Sequence, residues 1–217
     1  KKLSPTHIAV AWDTSEPSFR HRVFKDYKAT RKPMPEDLVV QVPVVHRIIE
    51  AYHFAEFAVP GYEADDVVAT IVSCLPEDAE VLIISRDKDL RQILRPNVAI
   101  YDTRTAKLYT EEDFRAEYGF PPKLLPDYLA LVGDASDNIP GVSGIGKKTA
   151  ISLIQRFGGL ESLYERAQEI EGRYRRKLLE AKERVFAMRD LVRVRTDVPL
   201  DFDPDKARLR PPDVPTL

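Results

Sequence analysis

Apolar residues along this chain recur with two periods, and the balance between them changes near residue 120. Residues 7–12 (HIAVAW) form a short apolar run rich in β-formers that stops at Asp13, the pattern of a buried strand. Residues 81–84 (VLII) predict a second strand, ending at Ser85 and Asp87. Residues 98–101 and 107–109 suit a hairpin over the intervening turn. Between these strands the period becomes helical. Over 63–75, Ala64, Val67, Val68, Ile71, Val72 and Leu75 fall at i, i+3, i+4, i+7, i+8 and i+11, one apolar stripe of an amphipathic helix. Residues 41–53 carry similar spacing, with Pro43 tolerated in the first turn, and 88–94 predict a short helix. Thr110, with Asp113 three residues on, predicts the N-cap of a helix reaching Tyr118.

Beyond residue 120 the strand pattern disappears, and 122–132, 147–157, 160–167 and 173–192 all read as helices. The expected fold is α/β, with a mainly parallel central sheet flanked by helices, followed by a C-terminal helical subdomain. The expected boundaries are 1–120 for the α/β core, including a basic arm at 14–35, 121–200 for the helical part, and 201–217 for a proline-rich tail of poor order.

At 217 residues the chain can bury one large core or a core with an appendage. No apolar run approaches the roughly 20 residues that span a bilayer, which excludes a membrane partner from the expectation. A single cysteine, Cys74, excludes an intramolecular disulfide; its place in an amphipathic helix reads as a core thiol in a reducing, cytoplasmic setting. The first residues lack the features of a signal peptide, and both ends read as possible cuts.

The formal charge of −2, from 33 bases and 35 acids, argues at first sight against a polyanionic partner. The average hides a segregation. Residues 20–32 hold six bases (Arg20, Arg22, Lys25, Lys28, Arg31, Lys32) against Asp26 alone, and 171–195 hold nine bases against four acids. Setting aside eight carboxylates as metal ligands leaves 27 acids against 33 bases. A basic surface around an acidic pocket is the charge pattern expected of a metal-dependent nuclease.

Those eight carboxylates fall in four groups, each at the end of an element. Asp13 follows the first strand, and Asp87 and Asp89 (SRDKDL) follow the second, at the sheet edge where α/β proteins bind ligands. Glu63, Asp65 and Asp66 (GYEADD) occupy the first turn of the amphipathic helix; Asp134 and Asp137 (GDASDN) leave the helix ending near Val132. Any one group has an ordinary explanation in helix dipoles or turn chemistry. Four groups together point to cations, because many carboxylates share a small space only when neutralised, and hard oxygen donors suit Mg²⁺ or Mn²⁺. Two ions about 4 Å apart would activate the attacking water and stabilise the leaving oxygen of an in-line displacement.

A second signal is IPGVSGIGKKTA over 139–150: glycine turns at Gly141, Gly144 and Gly146, just before a helix that opens with Lys147 and Lys148. Exposed N–H groups at such a helix start hold phosphate, and the segment reads as a helix-hairpin-helix gripping duplex DNA by its backbone. The third signal is the arm SFRHRVFKDYKATRK at 18–32, whose bases alternate with Phe19, Phe24 and Tyr27 as phosphate contacts and stacking surfaces would.

Taken in order and spacing, AWDTSEPSFRHRVFKDYKATR, GYEADDVVAT, SRDKDLRQIL and LVGDASDNIPGVSGIGKKTA resemble the 5′–3′ exonuclease domain of bacterial DNA polymerase I and its flap-endonuclease relatives, from about His7 to Leu200. The resemblance implies a PIN-like 5′ nuclease fold that removes 5′ flaps and RNA primers from branched or nicked DNA in replication and repair. It implies Asp13, Glu63, Asp65, Asp66, Asp87, Asp89, Asp134 and Asp137 as ligands of two divalent cations, with Arg20 and Lys28 orienting the scissile phosphate and Tyr27 as a stacking partner. Arg22, Arg31, Lys147, Lys148 and the three hairpin glycines are the further DNA contacts, and the hairpin of such proteins can also hold K⁺. The implied setting is a monomer in the bacterial nucleoid, with a polymerase domain in the same or another chain. One departure stands out: the family normally opens with an apolar strand ending in Asp-Gly, a part that nothing before His7 supplies. An alternative reading is therefore a catalytically weak module that binds DNA junctions. A PIN-like ribonuclease would share the acidic pocket but has no use for the hairpin at 139–150.

Overall fold

A computed structural model describes residues 4–213 of the protein. The chain folds as two compact units, each assembled from separate stretches: one from residues up to 19, 31–74 and 195 onwards, the other from 20–30 and 75–194.

In the first unit the apolar run gives β1 (Ala9–Ala11), and it pairs in parallel with β2 (Ala55–Phe57), Ala9 opposite Ala55 and Ala11 opposite Phe57. The first stretch of this unit ends at Phe19, whose N–H donates to the Gly61 carbonyl oxygen at 2.8 Å; Phe19 opens the short helix α1 (Phe19–Val23), whose remaining residues belong to the second unit. A single turn, α2 (Glu36–Val39), precedes α3 (Val42–Ala51), which has its proline in the first turn and packs on β2. The acidic helix is α4 (Ala64–Cys74). Its stripe buries Val67 and Ile71 against Val198, with Ala11, Phe57, Val59, Tyr62, Leu200 and Phe202 closing the cluster. Cys74 lies in the last turn and is exposed, correcting the expected core thiol: the buried residues of the helix end at Val72, two positions earlier. The segment after residue 200 makes contacts with this unit. Phe202 packs edge-on against Phe57, Leu209 N–H donates to Thr6 O, and Asp213 N–H donates to Ala51 O.

In the second unit β3 (Val81–Ile84) pairs in parallel with β4 (Val98–Asp102), which returns as an antiparallel hairpin through β5 (Lys107–Tyr109). The strands of the described residues thus form one two-stranded and one three-stranded sheet, with two of the three pairings parallel. The segment after β3 coils into a 3-10 turn at Asp89–Ile93. Thr110 caps α5 (Glu111–Tyr118) through a reciprocal capping box with Asp113, and Gly119, in a left-handed conformation, ends it. Helices then follow without strands. These are α6 (Leu125–Val132), α7 (Lys147–Phe157), α8 (Leu160–Glu165), α9 (Gly172–Glu180) and α10 (Lys182–Val192). Seven of the eight residues of α6 are buried, which fits its place between α7 and α10. Leu90, Val98, Phe114, Leu131, Ile154, Leu160, Leu163, Leu178 and Val185 are its unit's most enclosed side chains.

Candidate metal centre and hairpin

Asp87 and Asp89 come to the C-terminal edge of β3 because the strand stops there and the chain turns at once. The Asp87 N–H donates to Ser85 Oγ, and the Asp89 N–H donates to Asp87 Oδ1 at 2.9 Å. Asp134 and Asp137 are placed by a tight loop after α6. Asp134 and Ile139 exchange two backbone hydrogen bonds of 2.9 and 2.8 Å, and Ser136 donates from both N–H and Oγ to Asp134 Oδ1. This loop is pinned by glycine. A Cβ on Gly141 would sit 2.4 Å from the Val132 carbonyl carbon, and one on Gly133, where φ is +80°, would sit 2.6 Å from Gly141 N.

The result is a group of three: Asp89, Asp134 and Asp137 each offer a carboxylate oxygen within 4.8 Å of the others. Asp134 and Asp137 are buried, and Asp89 Oδ1 is enclosed without a hydrogen-bond partner. Burial, followed by repulsion from Asp87, Asp134 and Asp137, pushes the Asp89 carboxyl up to about 8. Lys88 is the local cation. Its Nζ lies 2.8 Å from Asp134 Oδ2; against the opposing effect of burial, this pair and the Ser136 bonds hold Asp134 below the usual carboxylate range. Converging hard oxygens, one of them buried and unsatisfied, fit a divalent cation.

The other four acids lie in the first unit. Asp13 Oδ1 accepts the Ala64 N–H at 2.8 Å and so caps α4 from a distant strand end. Asp66 is fully buried; its Oδ2 accepts the Glu63 N–H and its Oδ1 accepts the Arg195 N–H at 2.8 Å. Glu63 Oε1 accepts from Ser18 Oγ, and Asp65 is half-buried in the same turn.

The hairpin is also present. Gly144 (φ +82°) and Gly146 are exposed, Gly146 is the N-cap of α7, and Lys147 and Lys148 follow at the surface. Sequence reading overlooked Lys177, whose Nζ comes within 2.7 Å of where a Gly144 Cβ would lie, which brings a further cation over the turn. The arm divides. Arg22 and Arg31 are exposed and Lys28 is half-buried, but Arg20 and Tyr27 are each only 3% exposed. Arg20 donates from Nε to Leu191 O and from Nη2 to Arg193 O, at the end of α10. Tyr27 donates its hydroxyl to Asp137 Oδ2 and meets His21 edge-on, so its ring is inside the protein and is not presented as a stacking face.

The family described as 5'-3' exonuclease, N-terminal resolvase-like domain, matches residues 1–119, and 5'-3' exonuclease, C-terminal SAM fold, matches residues 120–215. The chain belongs to the 5'-3' exonuclease family. It is 41% identical to DNA polymerase I of Rhizobium leguminosarum over 99% of its own length and 21% of that protein's. Against the thermostable DNA polymerase I of Thermus thermophilus it is 40% identical over 90% of the chain and 24% of that protein, so it spans about a fifth to a quarter of these curated relatives. Among solved structures, the bacteriophage T5 D15 protein co-crystallised with metal ions superposes with a TM-score of 0.73 at 25% identity, covering 87% of this chain and 76% of that one. The T5 5'-exonuclease with bound zinc matches at 0.71 and 26%, covering 85% and 73%. The catalytic core of Rad2 in complex with DNA shares the fold, with a TM-score of 0.59 at 18% identity over 95% and 69%. Among the described residues no helix is long and apolar enough to cross a membrane.

Proposed function

We propose that the protein is a metal-dependent 5′–3′ exonuclease and 5′-flap endonuclease that hydrolyses phosphodiester bonds in DNA. The observation that carries the reading is the convergence of Asp89, Asp134 and Asp137 around an unsatisfied carboxylate oxygen. In this reading Asp87, Asp13, Glu63, Asp65 and Asp66 are the further metal ligands. Two divalent cations, Mg²⁺ or Mn²⁺, are the proposed cofactors, and such ions supply Lewis-acid activation of the attacking water and stabilisation of the departing oxygen. The protein's own groups bind and orient. Lys28, Arg22 and Arg31 attract the phosphates of the 5′ strand. The backbone N–H groups that open α7 hold duplex phosphate, with Lys147 and Lys148 adding charge and the Gly141–Gly146 turns offering carbonyls to K⁺. The substrates are DNA with a 5′ flap, nick or RNA primer; the protein acts as a monomer in the bacterial nucleoid, beside a polymerase domain.

The test is cleavage of a labelled 5′-flap DNA with Mg²⁺ or Mn²⁺, alongside EDTA and Asp87→Ala controls. Cutting near the junction that both controls abolish is the expected outcome. DNA that is bound but stays uncut with either metal would replace this reading with that of a junction-binding module.

A further inference from the structure

The basic segment at 20–30 does more than carry charge, because its turn is fastened to the loop bearing two of the candidate ligands. The Lys28 N–H donates to the Asp137 carbonyl oxygen at 3.0 Å, and Asn138 Nδ2 donates to the Asp26 carbonyl oxygen at 2.7 Å. Lys28 (φ +56°) and Asn138 (φ +58°) both adopt the left-handed region, so each turn holds one residue in a sparsely populated conformation at their junction. Between those two bonds lies Tyr27, 3% exposed, with its hydroxyl 3.1 Å from Oδ2 of Asp137, itself 3% exposed. A buried ring needs no hydroxyl for packing, and a buried phenol placed on a carboxylate restricts that carboxylate's rotation.

We infer that Tyr27 is a positioning residue: its hydroxyl orients the Asp137 carboxylate toward Asp89 and Asp134, so a residue of the DNA-gripping arm sets the affinity of the cation site. The inference rests on the metal-dependent reading above. Removing the hydroxyl leaves the ring, the two bonds on either side and all eight acids in place, yet takes away a donor that holds Asp137 Oδ2 in the geometry in which the three oxygens converge. Hydrogen-bond partners behind metal ligands typically control 10- to 100-fold in metal affinity.

The experiment is calorimetric titration of the 217-residue chain with Mn²⁺, in four proteins: the parent, Tyr27→Phe, Asp137→Asn and the double variant. It is run well below the melting temperature of each, so that a modest stability loss does not enter the result. Tyr27→Phe is expected to weaken Mn²⁺ binding about tenfold or more in the parent background and to have no further effect once Asp137 is asparagine. Equal affinity in Tyr27→Phe and parent, or an equal loss in both backgrounds, would overturn the inference. If parent and Asp137→Asn bind Mn²⁺ alike, the ligand assignment itself has failed and the role of Tyr27 falls with it, an outcome told apart by those two proteins alone.

Discussion

Replacing Gly141 with alanine adds one methyl group to a place where two backbones run close together. Its Cβ would lie 2.4 Å from the Val132 carbonyl carbon, 2.5 Å from the Val132 oxygen and 2.6 Å from Gly133 N. Ordinary contact between such atoms is about 3.5 Å, so the overlap is roughly 1 Å against backbone that cannot swing aside as the end of a side chain would. The loop has to move, and with it the Val142 N–H to Leu131 O bond and the Asp134–Ile139 pair. Overpacking of this kind costs about 3 kcal/mol or more. For a chain of this length that is a fall of roughly 6–12 °C in melting temperature. Gly172 is the matched control: it is the first residue of α9, has nothing within 4 Å of a built Cβ, and as alanine gains about 0.5 kcal/mol from reduced chain entropy. Both variants would be melted by circular dichroism without added metal and then titrated with Mn²⁺. Gly141→Ala should melt low and bind Mn²⁺ weakly, while Gly172→Ala should melt slightly high and bind as the parent does. A Gly141→Ala protein that melts within about 1 °C of the parent would refute the close-approach argument.

Further consequences can be measured independently. Arg20→Met keeps the buried stem but leaves the Leu191 and Arg193 carbonyls without their cationic donor, and should cost about 3 kcal/mol in urea unfolding whether or not DNA is present. Thr110→Ala removes half of the α5 capping box and should cost about 1 kcal/mol, read from the denaturation midpoint. Its partner Asp113 is held below the usual carboxylate range by the Thr110 N–H and hydroxyl, so it is ionised when folded down to lower pH than when unfolded. That contribution is present above the unfolded pKa and is lost as pH falls below about 4; NMR titration of its carboxyl carbon should show a midpoint under the model-peptide value. Phe114→Ala empties a fully buried site between Tyr118 and Phe120 and should cost about 3–5 kcal/mol in thermal or urea melts.

The long periodic segments are readable because local period and tertiary face coincide. Residues 64–74 and 147–157 formed helices where the stripe placed them, and the Thr110–Asp113 signal became a capping box. β2 escaped notice because three residues, AEF, hold too little alternation to register without the neighbouring strand. The apolar spacing of 173–192 suggested one helix, but the chain breaks at Ala181 (φ −98°, ψ 2°), where its N–H turns to Lys177 and Leu178 carbonyls. No proline or glycine marks that break; α10 takes its direction from packing on α6. Acidic residues at element ends were legible as a group because they need no partner to be recognised. The arm was not. Tyr27 finds Asp137 across 110 residues and Arg20 finds Leu191 across 171, and a local pattern of charges and rings looks the same whether such side chains end inside or outside.

Neither compact unit is a continuous stretch, and this bears on synthesis at the ribosome. α4 is made before its partners: Asp66 receives the Arg195 N–H and Thr70 Oγ1 receives the Val198 N–H from residues made more than a hundred positions later. Until those residues emerge, Val67 and Ile71 lack Val198, Leu200 and Phe202, and the carboxylate beside them has no backbone donor from that segment. The nascent chain therefore carries this carboxylate in an unfinished setting, and the segment 195–202, made much later, acts as the clasp that closes it.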